Sequence, residues 1–129
     1  MGTVMRVFLS IVALIFIVFG VIYMFAPENF ATAAGLRPTP SGLTDVRATY
    51  GGFQIGFALF LIWSCRSERR YANALLGCAL ITGFVAIGRI YGLAVDRELS
   101  NFHYVGLCFE IPISALSLWL FQKAVAKPA

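Results

Sequence analysis

The stretch ANALLGCALITGFVAIGRIYGLAVD, residues 72–96, decides the fold. From Ala72 to Gly88 it carries no charge, and its length matches the ~20 apolar residues a helix needs to cross ~30 Å of hydrocarbon. It nevertheless holds Arg89 before closing on Asp96. A charge at the centre of a membrane helix costs about 2.5–3.5 kcal/mol on insertion scales, so the chain must supply Arg89 with a partner.

Three more apolar stretches, residues 7–26, 48–65 and 104–121, have the same character. A chain of 129 residues fits one domain. Its 60% apolar and 12% charged content departs from soluble averages. The expected architecture is an all-α membrane protein, a single domain over residues 1–129 built as a bundle of four transmembrane helices. The spans are placed at about 5–26, 44–65, 71–95 and 102–122. No phosphate loop, CxxC, HExxH or basic run with interleaved aromatics occurs. The lipid bilayer is therefore the expected partner, with no nucleic acid, no metal and no cofactor.

The net charge of +4 reports orientation, because short cytoplasmic loops are enriched in Lys and Arg. With four spans, the termini and the loop between spans two and three share a side. That side carries Arg6, Arg66, Arg69, Arg70, Lys123 and Lys127, against Arg37, Arg47 and Arg97 on the other, or four with Arg89. Both termini are expected in the cytoplasm. Trp63 and Trp119 then fall at the inner interface, and Tyr23, Tyr50 and Tyr104 toward the outer one, as amphipathic rings prefer. The run from Val7 to Ala26 exceeds a signal-peptide core of ~7–15 residues and reads as a retained span.

After Pro27, the segment PENFATAAG predicts a short interfacial helix closed by Gly35. RPTPSG, residues 37–42, is expected to be a loop that delivers the chain to Thr44 as N-cap of span two. Ser100 or Asn101 is expected to cap span four.

Counting from the outer helix ends at ~1.5 Å per residue places Arg89 and Glu110 at one depth, about 10 Å inside. Gln54 lies at a similar depth, with Arg47, Tyr50 and Gln54 spaced i, i+3, i+7 along one face. Arg89, Gly92 and Asp96 repeat that spacing. Glu110 is the best partner for Arg89, since an arginine fork can hold a carboxylate bidentately. Asp45 and Asp96 are candidates to pair with Arg47 and Arg97. Pro112 cannot donate to the carbonyl of Cys108, so span four is expected to kink or to pack on a helix that satisfies it. Gly52 with Gly56, and Gly88 with Gly92, form GxxxG patterns that would let helices approach closely, next to Gly51. His103 sits near water at a helix start. Cys65, Cys78 and Cys108 have no metal or disulfide spacing and read as small buried residues.

The motifs DVRATYGG (45–52), GRIYGLAVD (88–96) and EIP (110–112) resemble a bacterial inner-membrane family known as domain of unknown function 4345. The resemblance runs over nearly the whole chain. It implies a multi-pass inner-membrane protein of four helices in which Asp45, Arg47, Tyr50, Gly51, Gly52, Gly88, Arg89, Asp96 and Glu110 match the family pattern, and it implies no reaction.

Two functions compete. In one, an outer-leaflet polar pocket around Arg89 and Glu110 binds an anionic or amphipathic small molecule or lipid, with Arg47, Tyr50, Gln54, Tyr91 and Asp96 contributing. In the other, the polar layer only locks the helices of a structural or accessory subunit of a larger membrane complex or homo-oligomer. No nucleophile–base pair is visible, so no catalytic residue is assigned.

Overall fold

The computed structural model describes residues 1–97 and 100–126; Lys127, one of the expected cytoplasmic cations, lies outside the described residues. All regular structure among these residues is helical. The chain groups into two compact units, Met1–Arg66 and Ser67–Ala129.

The first unit opens with α1 (Gly2–Phe25). Pro27 at the first position of α2 (Pro27–Ala33) starts a new helix where its missing N–H is not needed. Gly35 closes α2 at φ 79°, a left-handed conformation that glycine adopts without Cβ strain. The N–H of Leu36 then reaches the Ala31 carbonyl at 2.8 Å, as in a Schellman stop.

The second long helix departs from expectation at its start. It begins at Pro40 rather than Thr44, as α3 (Pro40–Val46), with Thr39 as N-cap accepting the Gly42 N–H at 3.2 Å. Threonine at the cap followed by proline at the first helical position is a start signal, and it outweighs the loop-forming appearance of RPTPSG. Thr44 lies inside the helix and donates to the Pro40 carbonyl. The path continues in right-handed helical backbone through a π-helical turn, Arg47–Gly52, into α4 (Phe53–Ser64). Within this unit α1 and α4 run antiparallel. Phe16 meets Phe57 edge-on at 5.0 Å, and Ser10 and Cys65 lie 3.7 Å apart, Oγ to Sγ.

The second unit starts with a 3₁₀ turn, Glu68–Arg70, that leads into α5 (Tyr71–Asp96). Arg97 ends α5 in the left-handed region at φ 55°. Helix α6 (Asn101–Val125) runs back antiparallel to α5. Ser100 occupies the N-cap position, but its hydroxyl makes no cap bond. Pro112 sits inside α6 and leaves the Cys108 carbonyl without its usual donor. Two residues on, Ser114 donates to the Ala79 carbonyl at 2.9 Å and ties α6 to α5.

Three helices, Gly2–Phe25, Glu68–Asp96 and Asn101–Val125, are long and apolar enough to cross a membrane. Helix α1 presents Val7, Ile11, Leu14 and Val18 on its exposed side, which an aqueous surface does not favour over such a length.

Candidate functional site

Arg89 is the hub of the second unit. It lies on α5 two turns before Asp96, facing the first three turns of α6. Its Nε donates to Glu110 Oε2 at 3.0 Å and one terminal nitrogen donates to Oε1 at 2.7 Å, the bidentate fork that matches a carboxylate. The other terminal nitrogen is 2.9 Å from His103 Nδ1. A guanidinium only donates, so His103 accepts through Nδ1 and carries its ring proton on Nε2. Phe102 adds its ring face 5.9 Å from the guanidinium carbon, a cation–π distance.

Gly106 completes the arrangement. A Cβ at that position would stand 2.8 Å from the guanidinium carbon and 2.9 Å from Nε. The missing side chain is thus the space in which Arg89 lies. His103, Gly106 and Glu110 follow the i, i+3, i+7 rule along one stripe of α6. The side chains of Arg89 and Glu110 are 19% and 14% exposed, so the pair is largely but not wholly covered. With neutral His103, its formal charge sums to zero.

The other site candidates divide between the two units. In the first, Arg47 Nε donates to the Met24 carbonyl at 3.2 Å, which caps the end of α1. Tyr50 stacks on Tyr23 at 5.2 Å, and Tyr23 in turn lies 4.8 Å from Phe30. Gln54 presents its Cβ to Gly20. All three residues expected on one face therefore do face a common neighbour, but that neighbour is α1. In the second unit Tyr91 is 70% exposed on α5 and apart from the cluster, and Asp96 is exposed at the helix end. The pairings of Asp45 with Arg47 and Asp96 with Arg97 do not form: neither acid makes an ion pair among the described residues. Both acids are exposed, where water solvates a carboxylate well and an ion pair adds little.

Close approach within the units comes from other glycines than the GxxxG patterns suggested. A Cβ on Gly51 would meet the Met24 backbone N at 3.0 Å, and one on Gly20 would meet Ile55 Cγ1 at 2.8 Å. In the second unit a Cβ on Gly83 would stand 2.7 Å from Ser114 Oγ. A Cβ on Gly52, by contrast, would come within 3.8 Å only of the Arg47 carbonyl oxygen, and one on Gly92 within 3.9 Å only of Asp96 Oδ2. A Cβ on Gly56 or Gly88 would meet nothing of its own unit within 4 Å beyond the adjoining turns of its own helix. A spacing of four marks small residues on one face of a helix without saying which face meets a neighbour.

His103, Gly106, Gly20 and Gly83 are the residues that sequence reasoning missed. The i, i+3, i+7 register of His103 and Gly106 with Glu110 was the available signal. Among the described residues no group of three or more His, Cys, Asp or Glu could hold a metal ion. No curated protein and no solved structure matches the chain. A family model described as Domain of unknown function (DUF4345) matches residues 4–121, and the chain, carrying this Arg89–Glu110 pair on its two C-terminal long helices, belongs to that family.

Proposed function

We propose that this is an integral protein of the bacterial inner membrane with four spans and both termini in the cytoplasm. In this reading α3, the π-helical turn and α4 together form the second span. Its role is to bind an anionic, amphipathic small molecule or lipid at Arg89. Glu110 acts as an internal occupant that holds the guanidinium until a ligand carboxylate or phosphate competes for the same fork. The observation that carries this reading is the bidentate contact itself, which presents Arg89 in the geometry that recognises a planar anion. Ionisable groups within a span are functional hypotheses by default because their burial is costly.

The test is to extract and identify lipids and metabolites that co-purify with the wild type, Arg89→Ala and Glu110→Gln. Arg89→Ala is expected to lose a species that Glu110→Gln retains or enriches, since the glutamine no longer competes as a charge. A folded Arg89→Ala protein with an unchanged profile rules the reading out.

A second reading is favoured by the saturation of the fork and by the tight fit against Gly106: the cluster only locks α5 to α6 in an accessory subunit of a larger complex. Replacing both members of a buried ion pair by apolar residues is often neutral or stabilising, whereas removing one is costly. Under this reading the double variant Arg89→Met with Glu110→Leu keeps both stability and its bound species, whereas a binding site would lose its ligand.

A further inference from the structure

A second site lies in the first unit, at the end of α1 and α4 remote from α2 and α3. There a groove of about 410 Å³ opens between the two helices, within the ~300–1,000 Å³ of ordinary ligand sites. Its mouth is polar, formed by Arg6, Ser10, Cys65 and Arg66. Its floor is apolar, formed by Ala13, Leu14, Ile17 and Ile62. We propose that this groove binds one anionic phospholipid of the surrounding leaflet, the phosphate between Arg6 and Arg66 and one acyl chain along the apolar floor. The site is separate from Arg89 and does not depend on the reading given for it.

Charge is the first argument. Arg6 and Arg66 are both exposed and make no ion pair among the described residues. The acids of residues 1–66 are Glu28 and Asp45, which lie in α2 and α3 beyond the opposite end of α1 and α4. Glu68, two residues past Arg66, makes no ion pair with it among the described residues, and two guanidiniums without an ion-pair partner suit a phosphate, the anion whose geometry arginine matches best.

Length is the second. Arg6, Ser10, Ala13, Leu14 and Ile17 lie along one face of α1 at helical spacing. From Arg6 to Ile17 the helix rises roughly 16 Å at ~1.5 Å per residue, about half of a ~30 Å hydrocarbon core. The groove is therefore one leaflet deep, basic where headgroups lie and apolar below. Trp63, on the last turn of α4 and 48% exposed, belongs at headgroup level. The mouth is also held in shape, because the Cys65 thiol reaches the Arg6 carbonyl at 3.8 Å and Ser10 donates to the same carbonyl at 2.8 Å. The wall that presents Arg6 is thereby tied to the wall that presents Arg66.

The experiment uses the full chain reconstituted in phosphatidylcholine, with and without phosphatidylglycerol, and native mass spectrometry to titrate retained lipid. The wild type is expected to retain one phosphatidylglycerol in preference to phosphatidylcholine. Arg6→Gln with Arg66→Gln should weaken that retention about twenty-fivefold, at roughly fivefold per basic residue near a membrane surface. Arg69→Gln, a basic residue outside the groove, serves as the charge control and should retain the lipid. Ile17→Trp, which fills the floor and leaves the charge unchanged, should also lower retention. Equal retention of the two lipids by the wild type, or unchanged retention in the double variant, overturns the proposal. Unaltered retention in Ile17→Trp together with displacement of the lipid by inorganic phosphate overturns it too, because the site would then be an anion site with no place for a chain.

Discussion

At the scale of single residues, the second unit is organised by what Gly106 omits. An alanine there would put a Cβ inside contact distance of the Arg89 guanidinium, which would have to shift against the hydrogen bonds that hold it to Glu110 and His103. Gly106→Ala is expected to destabilise the protein by about 1–3 kcal/mol, the usual cost of overpacking, read as a lower unfolding midpoint in detergent. Gly88→Ala, next to Arg89 but with no neighbour of its own unit within 4 Å, should leave the midpoint unchanged or raise it. The first unit offers the same contrast. Gly51→Ala would drive a methyl against the Met24 backbone, which cannot yield as a flexible side chain could, whereas Gly56→Ala faces open space within its unit. A loss for Gly51→Ala of about 1–3 kcal/mol with none for Gly56→Ala is the expected result. Equal effects at the two positions would contradict this packing.

At the scale of elements, the connections are made by specific start and stop residues. Thr39 and Pro40 begin the α3 to α4 path four residues before Thr44. Thr39→Ala should therefore cost ~1 kcal/mol through loss of the cap, while Thr44→Ala, whose hydroxyl only bonds back to the Pro40 carbonyl, should cost less. Gly35 ends α2 at positive φ, and Gly35→Ala is expected to cost about 1 kcal/mol for the left-handed backbone. Chemical denaturation of the three variants side by side checks this order. The π-helical turn matters for a related reason. Arg47, Tyr50 and Gly51 within it all address α1, and π-helical turns are frequent at functional sites.

At the scale of the whole molecule, three helices among the described residues are long and apolar enough to cross a membrane. The four-span reading then places the N-terminus, Arg66 to Arg70 and the C-terminus on one side. Alkaline phosphatase fused after residue 126 should be inactive and a fluorescent protein fused there should fluoresce, with the reverse after Arg37. Active phosphatase at the C-terminus would remove that topology.

Much of this was legible in one dimension because the bilayer imposes length and apolarity on any helix that crosses it. The helical class, the short α2 with its Gly35 stop, and the equal depth of Arg89 and Glu110 follow from composition and from counting residues along helices of fixed rise. What counting cannot supply is rotation and reach. His103 was assigned to water by its place at a helix start, yet a long arginine side chain extends far enough to meet it at 2.9 Å. The glycine patterns showed small residues without showing a neighbour, so of the close contacts Gly51 was expected from the sequence, whereas Gly20, Gly83 and Gly106 emerged only in three dimensions. Sequence by itself determined which residues are too polar to be left alone in an apolar layer. The tertiary structure decided which neighbours answer them, because a hydrogen bond depends on angles and a few tenths of an ångström, and residue spacing along a helix specifies neither.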